Sequence, residues 1–312
     1  MQNKYIKDLA WAISSPSLVN EQPGWPNIVD TSKDTWVTQW LSSLDADPSP
    51  LQQHLAKEKS HFIGTYFESL WAFYLASNPQ YELISRNLQV NSKARTVGEF
   101  DFILRDKVTG GFIHQEVAIK FYLGFNKQNI HEFSDGKHIW LGPQCRDRLD
   151  IKLAKMINHQ AKLSETIQGK QALESIKIDV DTDKLTPQLV LKGYLFYPQT
   201  QPVTPPKFCN PNQLKGSWLT LNDFVEHIEK DSSDAWALLT KPEWISPFSS
   251  SIEHNQSNIF FKKPDILRTA REKVLNEQRP WMIAYLTESK GYYTEIHRQF
   301  IVPDDWPHLY DE

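Results

Sequence analysis

Apolar residues recur along this chain in two distinct periods. From His61 to Ser77 they fall at Phe62, Ile63, Tyr66, Phe67, Leu70, Trp71 and Tyr74, the three-and-four spacing of a helix, and Asn78-Pro79 stops it. Ile6 to Ile13 repeats that spacing over a shorter span before Ser15-Pro16, a proline-bearing loop runs to Pro26, and Pro48 and Pro50 mark a second break. Tyr81–Val90, Val97–Arg105 and Phe112–Leu123 read instead as strands. The last two are joined by Asp106-Lys-Val-Thr-Gly-Gly, a turn composition, so an antiparallel meander is predicted.

A polar loop then leads to Gly142-Pro143, a long helix is predicted from Cys145 to Ile167, and Leu189–Tyr197 returns as a strand. Five prolines between Pro198 and Pro211 predict an extended connector. Beyond it Leu221–Lys230 and Pro264–Asn276 read as helices, Trp236 and Trp244 mark an aromatic stretch, and Trp281–Thr287 and Tyr292–Val302 close the chain as strands. This order predicts an α/β (α+β) protein with a mixed sheet flanked by helices. Its expected parts are a helical N-terminal extension (1–60), a core (61–200) and a mixed C-terminal region (201–312).

Composition narrows the chemistry. The 11 Trp, 16 Phe and 11 Tyr in 312 residues belong to a folded chain with an aromatic core. The 2 cysteines and 10 histidines show no ligand spacing, which argues against a zinc site or a disulfide framework. With no GxxxxGK[ST] or GxGxxG turn, no nucleotide cofactor is expected. No apolar run reaches the roughly 20 residues that span a bilayer, and the start lacks a leader, so no membrane partner and a cytoplasmic location are expected. A net charge of −4 confines any nucleic-acid surface to a local patch.

The strand pair carries the candidate site. Strand alternation puts Glu99 and Asp101 on one face against Phe100, Phe102 and Leu104. On the next strand it puts His114, Glu116, Ala118 and Lys120 against Ile113, Val117, Ile119 and Phe121. A simple hairpin sets Asp101 opposite Glu116 or Ala118, so two carboxylates and a lysine converge. Adjacent carboxylates repel unless a cation lies between them, and hard oxygen ligands suit Mg²⁺. Two plainer readings stand beside this one: Asp101 and Glu116 as charges on a solvated face, and Glu68, set among Gly64, Trp71, Ala72 and Leu75, as half of a salt bridge.

A glutamate-bearing helix (Gly64-Thr-Tyr-Phe-Glu68-Ser-Leu-Trp), a strand, Gly98-Glu-Phe-Asp101-Phe, a turn, and His114-Gln-Glu116-Val-Ala-Ile-Lys120 resemble the layout of the PD-(D/E)XK nuclease-like superfamily. The wider text, with Asp8-Leu-Ala-Trp, Glu116-Val-Ala-Ile-Lys-Phe-Tyr-Leu, Gly142-Pro143 and His159-Gln160, resembles the bacterial family called domain of unknown function 1853. The superfamily resemblance implies a restriction-endonuclease-like core and a metal-dependent nuclease acting on DNA or RNA. In it Glu68, Asp101 and Glu116 hold Mg (or Mn), and Lys120 assists the water or the phosphate. A chain that kept the fold without catalysis would instead bind nucleic acid or a protein partner.

One departure is plain: the usual Glu-x-Lys is stretched here to Glu116-x-x-x-Lys120. Either Glu116 is the motif acid and the lysine has moved along the strand, or Lys120 is in place and Ala118 has replaced the acid. On the predicted long helix Arg148, Lys152, Lys155, His159 and Lys162 form a stripe that is either a phosphate track or a solvated face. Gln160 lies with Leu149, Leu153, Met156 and Leu163, where it either reaches the site or caps a core hydrogen bond.

Overall fold

Asn3 opens the first helix, α1 (Lys4–Ser14), by accepting the Tyr5 N–H at 2.9 Å, and Ile6, Leu9 and Ile13 bury its apolar stripe. The computed structural model describes residues 1, 3–32, 34–92, 95–126, 138–179, 181–252 and 260–307. After α1 come β1 (Asn27–Ile28), α2 (Val37–Ala46), α3 (Ser49–Leu55), α4 (Ile63–Ser77), β2 (Tyr81–Asn91), β3 (Thr96–Asp106), β4 (Phe112–Asn126) and β5 (His138–Leu141). Then follow α5 (Leu149–Lys155), α6 (Ile167–Ser175), β6 (Leu185–Pro198), β7 (Leu214–Thr220), α7 (Leu221–Glu229), β8 (Ala235–Leu239), β9 (Ser249–Ser251), β10 (Phe260–Phe261), α8 (Lys263–Glu277), β11 (Trp281–Ser289) and β12 (Tyr292–Val302).

The helix and meander expected between His61 and Leu123 form as α4 and β2–β4. The turn after β3 closes because the Asp106 carboxylate accepts the N–H groups of Val108 (2.8 Å) and Thr109 (3.2 Å), while Gly110 takes φ 75°. The helix expected over Cys145–Ile167 does not form as one piece. A turn in which Cys145 donates to the Gly142 carbonyl delays its start to Leu149, and after Lys155 the coil widens into a π turn, Met156–Gln160. A separate helix, α6, follows, its N-terminus capped by Thr166, which accepts the Gly169 N–H at 2.9 Å. Part of the expected polar loop is strand β5; residues 127–137 lie outside those described.

Two compact units result, and they do not follow the linear division at residues 60 and 200. The first comprises residues 1–119, 150–193 and 208–213; the second comprises 120–149, 194–207 and 214–312, so β4 and β6 each contribute residues to both. In the first unit the strand order is β1–β6–β4–β3–β2, with β1 parallel to β6 and β2–β4 antiparallel. Residues 1–60 belong to this unit. Leu18 donates to the Leu191 carbonyl at 2.8 Å, and the buried Lys192 ammonium donates to the Ile13 and Ser15 carbonyls where α1 ends. Trp71 of α4 donates its indole N–H to Gln115 Oε1 at 2.9 Å, and Leu163 and Leu173 pack with Val90, Phe100 and Ile103.

The second unit is also built on a mixed sheet, with β6, β7 and β12 parallel and β8, β11 and β12 antiparallel. Phe224 and Ile228 of α7 and Ile266, Ala270 and Val274 of α8 bury its apolar core with Trp236, Ile283 and Ile301. Among the described residues no helix is long and apolar enough to cross a membrane.

Candidate functional site

Asp101 stands where regular pairing stops. The β3–β4 ladder runs from Arg105↔Phe112 to Phe102↔Gln115, and beyond it the Asp101 side chain, not its backbone, accepts the Val117 N–H at 2.8 Å. On the other flank Asn87 falls between the pairs Arg86↔Phe102 and Leu88↔Phe100 and takes a left-handed backbone, φ 55°. The expected apolar face Phe100–Phe102–Leu104 is broken at this point, because Phe100 shares its core cluster with Ile103. The local distortion inserts a carboxylate at a gap between strands.

This polar surface is not solvated. Asp101 is 7% exposed and Glu116 1%, since the coil after α5 covers the strand on the side of Glu116. Burial pushes both carboxyl groups above their ordinary range, and the repulsion of Asp101 raises Glu116 further. The charge of Asp101 penalises ionisation of Glu116, so the two titrate as a pair. Gln160 donates to Glu116 Oε1 and accepts from the Lys152 ammonium at 3.0 Å. The π turn makes that reach possible, bringing residues 152 and 160 into contact, and Lys152 is the cation whose charge favours ionised Asp101 and Glu116. Among the described residues no amide, amine or hydroxyl donates to Glu116 Oε2. His114 Nε2 is 3.7 Å from it, beyond hydrogen-bond reach; burial lowers that imidazole to about 4, and neither ring nitrogen has a hydrogen-bond partner among the described residues.

Glu68, on the half-buried flank of α4, is raised to about 7, first by burial and then by the charge of Asp101. Arg86 pulls the other way, but its guanidinium is bonded to Glu58 at 2.7 Å. Glu68, Asp101, Glu116, Gln160 and Lys152 therefore form one electrostatic group. Lys120 bonds Asp147 at 2.5 Å in the second unit. Arg148 precedes α5 and bridges Leu141 in that same unit, so the expected stripe does not lie along a single helix face. Lys155 is exposed and lines a cleft with Gln160, His159 and Lys162. The part played by Lys152 had no signature in the sequence beyond its place in a basic run. His114 was marked only by sharing strand parity with Glu116.

Two carboxyl groups forced together in a buried place, with one oxygen unsatisfied, match the needs of Mg²⁺ or Mn²⁺, which binds through one or two carboxylates and keeps several waters. Among the described residues no three His, Cys, Asp or Glu side chains are arranged to hold an ion. Asp101 and Glu116 are thus two oxygen donors that an ion there would use, without a third such side chain beside them among the described residues.

Mixed sheets, flanking helices and a buried carboxyl pair define an α/β protein with a polar site inside its first unit. The chain belongs to the family described as domain of unknown function (DUF1853), whose model matches residues 7–302. No curated protein and no solved structure matches it.

Proposed function

We propose that this protein is a metal-dependent phosphodiesterase of the PD-(D/E)XK nuclease-like type, acting on DNA or RNA. The observation that carries the reading is the buried Asp101–Glu116 pair, which is costly as a structural element and useful as a cation site. The order α4, β2, β3, β4, α5, β6, with Glu68 on the helix and the acids on the second and third strands, supports the same reading. When bound, the metal supplies a more acidic water and charge stabilisation at the phosphate. Asp101 and Glu116 would hold it, Glu68 would take the proton from the attacking water, and Lys152 would offset negative charge developing on the phosphate. Lys120, engaged by Asp147, takes no part in this scheme.

The test is cleavage of labelled single- and double-stranded oligonucleotides with Mg²⁺ or Mn²⁺ against an EDTA control. Asp101→Ala is expected to lower the rate by a factor on the order of 10³; cutting that survives in Asp101→Ala assigns the activity elsewhere. A second reading rests on the Lys120–Asp147 ion pair and on Ala118: a nuclease fold without catalysis that binds nucleic acid or a protein. Calorimetry separates the two, since carboxylate-dependent binding of Mn²⁺ counts against the second and its absence at millimolar concentration counts against the first.

A further inference from the structure

A cleft of about 700 Å³ opens in the first unit between the start of β3 and the coil that carries Gln160. Val97 and Glu99 line one wall and Lys155, His159, Lys162 and Leu163 the other. Gln160 lines it as well, so the side chain that donates to Glu116 is also part of the cleft wall. We infer that this cleft seats an unpaired stretch of one or two nucleotides leading to the carboxyl site; what then happens to the strand rests on the hydrolytic reading above, whereas its binding does not.

Size and the exposed apolar wall both select a single strand. The volume lies within the roughly 300–1,000 Å³ of sites that enclose a small organic ligand, whereas a duplex presents a major groove alone about 12 Å wide. Lys155 and Lys162 are exposed and offer phosphate contacts, and Val97, 44% exposed, offers with Leu163 an apolar surface for a base. Glu99 and Glu165 lie in the same lining and offset the two lysines, so the cleft is not a bare phosphate track. Affinity there must come partly from base faces and edges, which only an unpaired strand exposes.

Fluorescence anisotropy of the full chain in EDTA, with a short labelled single strand and the same sequence as duplex, in DNA and RNA forms, tests the inference. The single strand is expected to bind roughly ten-fold tighter than the duplex, with a log–log salt slope of about −1.4 for two phosphates. Lys155→Glu with Lys162→Glu should weaken binding about ten-fold, as should Val97→Asp on the opposite wall, while Lys170→Glu, a charge change outside the cleft, should not. Unaltered circular dichroism and melting establish that the variants fold. Equal affinity for duplex, no binding at about 100 μM, or unchanged binding by the cleft variants overturns the inference. A strand that is bound but stays intact when Mg²⁺ or Mn²⁺ is added leaves the cleft standing and sinks the hydrolytic reading alone.

Discussion

Glu68→Gln should make the protein more stable, by a gain that grows from about pH 4.5 and is complete above about pH 7. Burial and the charge of Asp101 hold the Glu68 carboxyl at about 7 against an ordinary 4.5, with Arg86 opposing. Between those two values the folded chain holds a proton that the unfolded chain releases, so stability falls as pH rises through the window, and the full cost is present above about 7. A rise of that size corresponds to roughly 3 kcal/mol, and water on part of the side chain reduces it to about 1–2 kcal/mol. Glutamine keeps the shape and removes the ionisation. Urea midpoints for both proteins at pH 8 and near pH 4.5 measure the difference. Glu68→Gln is expected to gain about 1–2 kcal/mol at the higher pH and almost nothing at the lower. A variant no more stable at pH 8, or one with the same gain at both values, refutes the electrostatic account of this residue.

Lys192 titrates in the opposite sense: burial lowers its ammonium from 10.5 to about 8, so its charge is penalised below about 8 and that penalty fades as pH rises towards 10.5. Lys192→Met should therefore cost more at pH 10 than at pH 7, by up to about 3 kcal/mol, in paired urea titrations. Gly216→Ala places a methyl 2.4 Å from the Phe196 ring and 2.9 Å from the Arg298 carbonyl, and should lower stability by about 1–3 kcal/mol in thermal or urea unfolding. If the chain cuts nucleic acid, Lys152→Met should slow cleavage by roughly 10²-fold or more while Lys120→Met leaves it within a few-fold. The reverse order in the same assay would return the catalytic role to the strand lysine.

The elements with one unbroken period were legible in advance. Phe67, Leu70, Trp71 and Tyr74 announce α4, and the alternating residues after Gly98 announce β3 and β4. Alternation does not reveal whether a polar face meets water or another element, so the sequence left Glu116 open between a solvated hairpin and a buried site. The cover comes from a coil more than forty residues away, through Gln160. The helix break was hidden for a related reason: Leu149, Leu153, Met156 and Leu163 keep a helical rhythm across a segment that changes its coil at Met156. Strand parity likewise gave no sign that Asp147, in a turn with no periodic signature, engages Lys120.

The π turn at Met156–Gln160 can be read as an insertion, one residue more than an α-helix needs over that stretch. Removing a single residue there, Asn158 for instance, would restore the α register and rotate everything after it by about 100°. The chain would gain a better helix and lose the contact between Gln160 and Glu116, with Ala161 moving into the vacated position. In lineages of this family an indel at that point would then be an economical way to separate the fold from its buried acids, and its presence or absence would sort members with a linked site from members without one.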